Sequence, residues 1–234
     1  MKKLINLIFL ISINLFGQER VVTLSPSINE IVYALGMGNS VVANTKFCDF
    51  PIESKSVKKV GGYANTSLEK ILSVNPTVTI AQNYDEKLLT NLNNLGIKTM
   101  VYKTDSIKDI KYTIESLGKY FKKEARAKSI NSLIDFTLVT LGEIVKDKKI
   151  LIVISPNESL SNQIYVSGNY LYFEDIIKAS GNINAFQSNS KSQPVVNSEK
   201  VISMNPDIIV LLAAMQRSLR QLQLAQTQLL RQGL

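Results

Sequence analysis

The chain of 234 residues has no histidine, no tryptophan and a single cysteine. Without histidine there is no Ser-His-Asp triad, no imidazole base and no histidine-ligated zinc. One cysteine cannot close an intrachain disulfide or build a multi-thiolate metal cluster. The chain also lacks a G-x-S-x-G elbow and a G-x-x-x-x-G-K-[ST] phosphate loop. Ser25-Pro26-Ser27 invites reading as a nucleophile turn, but nothing can activate the hydroxyl, and a strand end followed by a helix cap explains it better. Cys48 reads as a small buried hydrophobe. Asp49, Asp85 and Asp207 lie near strand ends, but no spacing unites them, so a histidine-free carboxylate-dependent α/β hydrolase is the weaker reading.

Acids are outnumbered, 19 against 27 Lys and Arg, for a net charge of +8. Taken whole, that excess points to an anionic partner. Its location says otherwise. Lys2, Lys3, Arg217, Arg220 and Arg231 lie at the two ends, and residues 18–212 carry 22 bases against 19 acids. The body has an ordinary mixed surface, without the basic stripe that nucleic acid needs.

Long apolar runs are also few. Two lysines precede the run Leu4–Phe16, which has the length of a signal-peptide core and falls short of a spanning helix. Residues 1–17 are expected to be a cleavable export signal. From Arg20 onward the pattern is α/β. Arg20–Ser25, Val41–Ala43, Thr77–Ala81 and Ile97–Tyr102 read as strands. Helices are expected from Ser27 or Asn29 to Leu35 and over Glu86–Leu95. Apolar spacing predicts a long helical stretch from Asp105 or Ser106, with Gly118 and Lys122-Lys123-Glu124 as a candidate break and no Pro or Gly over 119–141. A rigid bridging helix and a helical hairpin both fit it. A second α/β half follows, with strands at Lys149–Ser155 and Asp207–Leu212 and a helix over Tyr170–Ser180. Strand–helix–strand alternation predicts parallel sheets.

The two halves share a repeat. Glu69-Lys70 opens a short helix that ends at Asn75-Pro76 before a β-branched strand; Glu199-Lys200 does the same before Asn205-Pro206. Glu and Pro recur at the same offset of 130 residues. A carboxylate at a helix start suits the macrodipole, and proline ends the helix. Tyrosines fall beside loops: Tyr63 after Gly61-Gly62, Tyr84 just beyond a strand, and Tyr165, Tyr170 and Tyr172 around Gly168. Tyrosine offers a flat apolar face with a hydroxyl, and its phenolate can ligate iron.

Together these segments resemble the periplasmic solute-binding proteins of ABC importers for cobalamin, siderophores and haem. The resemblance lies in Val22–Gly36, Phe47-Cys48-Asp49-Phe50-Pro51, Val60-Gly61-Gly62-Tyr63 with Ser67-Leu68-Glu69, Tyr172–Ile177, Gly181–Phe186 and Ser198-Glu199-Lys200-Val201. It implies two parallel-sheet α/β lobes bridged by one long helix, with the ligand cleft between them. The expected division is a signal peptide 1–17, an N-terminal lobe 18–105, a bridging region 106–148, an incomplete C-terminal lobe 149–212 and an atypical Gln/Leu/Arg-rich tail 213–234. It further implies a monomeric, non-enzymatic periplasmic protein with no cofactor of its own, which carries a corrinoid or ferric chelate to a permease–ATPase complex. Haem is the alternative cargo of the same class. Ser25, Pro26 and Tyr63 are the ligand contacts that the resemblance implies, and Tyr84 and Tyr170, placed beside a strand end and a glycine loop, complete the expected set. Glu69 and Glu199 are the implied docking carboxylates, and no metal site is expected.

Overall fold

The computed structural model describes residues 19–62, 65–82, 85–142, 144–155, 163–188, 190 and 193–212. Residues 1–17, expected to be an export signal, Tyr63, Tyr84 and the tail from residue 213 lie outside them. The chain divides into two compact units. One holds the chain up to Lys103 together with Ser116–Ala127; the other holds Thr104–Glu115 and the chain from Lys128.

The first unit is built on five parallel strands: β1 Val21–Thr23, β2 Val41–Asn44, β3 Lys58–Lys59, β4 Val78–Ala81 and β5 Lys98–Val101, in the order β3-β2-β1-β4-β5. Every residue of β4 is buried, as expected of a parallel strand covered on both faces. Helix α1 (Pro26–Ala34) follows β1, α2 (Leu68–Leu72) precedes β4, and α3 (Glu86–Asn94) crosses from β4 to β5. Leu88, Leu89 and Leu92 of α3 pack with Val22, Leu24, Ala43, Val60 and Ile71 in one core. The N-cap of α1 is Ser25, whose Oγ accepts from the Ile28 N–H at 3.3 Å; Pro26 then takes the first turn, where no N–H is needed. The cap thus sits two residues before the earlier of the two expected positions.

Glu19 ties the start of the described chain to this unit. Thr77 and Tyr120 both donate to its carboxylate, Tyr120 at 3.1 Å. Burial and that carboxylate push the Tyr120 phenol up to about 12.

The long helical stretch is two helices, α4 (Ile107–Tyr120) and α5 (Glu124–Leu141). Lys122 is left-handed, φ 56°, and the Lys123 N–H returns to the Gly118 carbonyl at 2.7 Å. That six-to-one bond is a Schellman stop, with lysine where glycine is usual. A Cβ on Gly118 would come within 2.5 Å of the Ala127 Cβ, so the two helices touch there because the glycine is bare. Farther along, Lys111 pairs with Asp135 at 2.5 Å and Asn131 donates to the Lys111 carbonyl at 3.1 Å. The hairpin reading therefore describes the chain path.

The second unit carries β6 Lys149–Ser155, β7 Ile164–Val166, β8 Ile183–Asn184, β9 Val195–Val196 and β10 Ile208–Leu211. Helix α6 (Tyr172–Ala179) leads to β8, and α7 (Ser198–Met204) leads to β10. Strand β6 pairs in parallel with β10 and β8, but β7 runs antiparallel to both β6 and β9. This part differs from the all-parallel expectation. Only eight residues separate β6 from β7, too few for the dozen or so that a parallel crossover needs.

Candidate functional site

Four loops of the first unit leave the carboxyl ends of parallel strands and so share one edge of the sheet: Leu24–Pro26 after β1, Thr45–Ser56 after β2, the stretch from Val60 after β3, and the stretch from Gln82 after β4. Ligands of open α/β sheets bind at that edge, at the point where strand order reverses. Here that point lies between β1 and β4. A water-sized crevice of about 20 Å³ sits there, lined by Leu24, Thr66, Ala81, Gln82, Asp85 and Leu88.

A buried polar network shapes the loop after β2. Asn29, on α1, accepts from the Thr23 hydroxyl at 2.9 Å and from the Asn44 amide at 3.3 Å. It donates to the Ser54 hydroxyl at 2.9 Å and to the Phe50 carbonyl at 3.1 Å. The Lys59 ammonium donates to the Asn44 side chain and to the carbonyls of Cys48 and Ser54, at 2.7, 3.2 and 3.0 Å. Its partial burial lowers its pKa. Fixed in this way, the loop presents Phe47 and Phe50, 44% and 67% exposed. The Lys46 ammonium lies over the Phe47 ring, 5.0 Å from its centroid, so that aromatic face is shared with a cation. Sequence reading quoted these phenylalanines only within a motif; their exposure was the signal it lacked. Cys48, between them, is fully buried beside Thr45, and burial pushes its thiol up.

The glycine loop stands against this one. Gly61 has φ 136°, and a Cβ there would lie 2.4 Å from the Asn65 carbonyl oxygen, so only glycine fits. The Gly62 N–H donates to the Asn65 side chain at 2.8 Å, and a Cβ on Gly62 would meet the Phe47 ring at 3.2 Å. These bonds set the path of the loop on either side of Tyr63, itself outside the described residues. Ser25 is fully buried and its hydroxyl is engaged as the α1 cap, while Pro26 is half-buried beside it. In the second unit, Tyr170 lies against Gly168, where a Cβ would come within 2.8 Å of its ring. Burial raises its phenol pKa. Asn169 bonds Gln187 at 2.7 Å and receives the Ser188 N–H at 3.2 Å, closing that loop.

The two carboxylates occupy the same position in each unit. Glu69 is the second residue of α2 and Glu199 the second of α7, and both are exposed. Ser67 caps α2 by accepting from the Lys70 N–H; Asn197 caps α7 by accepting from the Lys200 N–H. Ile71 and Val201 anchor the opposite face. Asn75 and Asn205 then turn left-handed, φ 44° and 47°. Past the proline, the Thr77 N–H meets the Arg20 carbonyl at 2.9 Å, and the Asp207 N–H meets the Lys149 carbonyl at 2.8 Å. The side chains of Thr77 and Asp207 accept from the N–H groups of Arg20 and Lys149 in return. Sequence similarity between the halves is thus a shared local structure.

Residues 21–232 match the family described as periplasmic binding protein, and the chain belongs to that family. The vitamin B12-binding protein of Vibrio vulnificus is 37% identical over 124 residues, which are 51% of this chain and 45% of that protein. The chain therefore spans about half the length of the first curated relatives it matches. The vitamin B12-binding protein of Vibrio campbellii is 27% identical over 197 residues, 82% of this chain and 70% of that one. Among solved structures, the periplasmic vitamin B12-binding protein of Vibrio cholerae aligns with TM-score 0.70 at 24% identity, covering 82% of this chain and 76% of that chain. A periplasmic haem-binding protein of Pseudomonas aeruginosa aligns at 0.73 and 18%, covering 91% and 77%. These likenesses establish the fold.

Proposed function

We propose that this chain is the substrate-binding component of an ABC importer, capturing a corrinoid or ferric chelate and presenting it to a membrane permease and its ATPase. The repeated placement of Glu69 and Glu199 carries the reading. Each is an exposed carboxylate at the start of a helix in its own unit, able to accept both N–H groups of an arginine fork. Two such carboxylates suit a permease that presents two arginine sites. Relatives named for vitamin B12 support the corrinoid as cargo. Ser25, Pro26, Tyr63, Tyr84 and Tyr170 are the residues we propose for ligand contact, chosen for aromatic faces suited to a flat ligand and for the first loop that Ser25 caps. Haem is the second reading; a chain without histidine would ligate its iron through a tyrosine.

A binding role also fits the acids. Asp85 is spent as the α3 cap, accepting from the Leu88 N–H at 2.9 Å, and Asp207 accepts from the Lys149 N–H. Two of the three carboxylates that a hydrolase would need thus hold backbone. We read residues 1–17 as a cleavable export signal and the secreted product as a monomer. Calorimetric titration of the purified protein with cyanocobalamin, haem and a ferric siderophore tests the function. Saturable one-to-one binding of cyanocobalamin is expected. Binding to none of the three defeats the proposal, and binding to haem alone selects the second reading.

A further inference from the structure

Lys46 stands at the ligand edge of the first unit, two residues past the end of β2. Its backbone N–H donates to the Gly61 carbonyl at 2.9 Å, which joins the loop after β2 to the loop after β3. Its side chain lies along the same junction. The ammonium sits over the Phe47 ring, and a Cβ on Gly62 would come within 2.9 Å of the Lys46 Cε. Gly62, unlike Gly61, is not left-handed, so its backbone alone does not demand glycine. The missing side chain leaves room for the lysine stem, the Asn65 amide and the Phe47 ring, which a Cβ would meet at 2.9, 3.0 and 3.2 Å.

Two lysines near this edge are used differently. Lys59 spends its N–H groups on three oxygens and is held inside the loop. Lys46 is exposed, and among the described residues no carboxylate pairs with it. A ring holds an ammonium over its face by electrostatic attraction and engages only the N–H groups turned toward it, so the donors on the far side stay open. The acids of these loops act on other groups. Asp85 caps α3, the field of Asp49 reaches Cys48 and Lys59, and that of Glu53 reaches Tyr33. The outcome is a positioned cation beside an aromatic ring, at the edge where open α/β sheets hold their ligands.

Given the chelate-binding function proposed above, we infer that Lys46 pairs with an anionic oxygen of the captured ligand. In a corrinoid that oxygen belongs to the phosphodiester of the nucleotide loop; in haem it belongs to a propionate carboxylate. Phe47 holds the ammonium at the edge before the ligand arrives, so less side-chain freedom is lost on binding. The first unit thereby selects chelates that carry an anionic arm as well as a flat macrocycle.

Calorimetric titration of the full chain and two variants tests this. Cyanocobalamin contains the phosphodiester, dicyanocobinamide lacks it, and haem carries propionates. Lys46→Met keeps an apolar stem against Gly62 and Phe47 and removes the charge; Lys46→Arg keeps the charge. Lys46→Met is expected to weaken cyanocobalamin binding roughly fivefold, the scale of an exposed charge pair, and to leave dicyanocobinamide affinity unchanged. Lys46→Arg is expected to bind cyanocobalamin as the unaltered chain does. In about 1 M NaCl the difference between Lys46→Met and the unaltered chain is expected to vanish. If haem is the cargo, the same salt-sensitive loss falls on haem. Equal losses for the two corrinoids would make Lys46 a support of the loop and overturn its pairing with an anion. So would a loss that Lys46→Arg does not restore, or one that high salt leaves intact. An unaltered chain that binds none of the three ligands defeats the importer function itself. An unaltered chain that binds, with Lys46→Met binding equally well, defeats the role of Lys46 alone.

Discussion

The segments Ser67–Ala81 and Asn197–Leu211 have the same local structure in different surroundings. Cap, carboxylate, anchor, left-handed asparagine, proline and strand recur in register. Yet β4 lies between β1 and β5 and is wholly buried, whereas among the described residues β10 pairs with β6 only and no residue of it is fully buried. At the helix end, the Arg20 guanidinium of the first unit donates to the Val74 carbonyl at 2.6 Å. The difference teaches that the repeat is written locally, in caps and turns, while burial is conferred by neighbours.

The strongest way to break the comparison is through Glu69 and Glu199. The double variant Glu69→Ala/Glu199→Ala is expected to abolish transport in reconstituted vesicles and leave ligand affinity intact. Lost ligand binding would turn both residues into structural ones. Next come the two asparagine hubs. Asn29→Ala removes four hydrogen bonds, among them the one that the fully buried Thr23 hydroxyl makes, and is expected to cost about 3 kcal/mol in denaturant unfolding. Asn182→Ala removes a hub that bonds the Val145 and Ser180 carbonyls and the Lys148 N–H. Those backbone groups can recruit water, so about 1–2 kcal/mol is expected. A reversed order would show that the second unit, not the first, relies on its polar core.

Anchors of the repeat should behave alike. Ile71→Ala is expected to cost about 3 kcal/mol and Val201→Ala about 2, one methylene less. A negligible cost for Val201→Ala would mean that α7 is held by its cap alone. The smallest effect sharpens the match further. Asn75→Ala and Asn205→Ala each force a Cβ-bearing residue without a local side-chain bond into left-handed geometry, at about 1 kcal/mol apiece. Equal losses confirm one turn used twice.

Much of this was legible in the sequence because it is local. The repeat showed in the spacing of Glu and Pro, and the strands of the first unit in their β-branched runs. Gly118 and the charged run Lys122-Lys123-Glu124 marked where the long helix stops. What escaped is non-local. Antiparallel β7 follows from the short link after β6, which no periodicity announces. The Asn29 network draws Thr23, Asn44, Ser54 and Lys59 from four separate stretches, each an ordinary polar residue when read alone. Exposure of Phe47 and Phe50 is a property of that assembled loop, which the motif containing them does not announce.

Lys59 gives this loop an unusual form of independence. Its three oxygen partners, two carbonyls and one amide, make the kind of pocket that elsewhere welcomes a small monovalent ion. Here the charge arrives on a tether from β3, so it needs no capture from solution and cannot be competed away by other ions. The loop after β2 is thereby held by a cation that belongs to the chain itself.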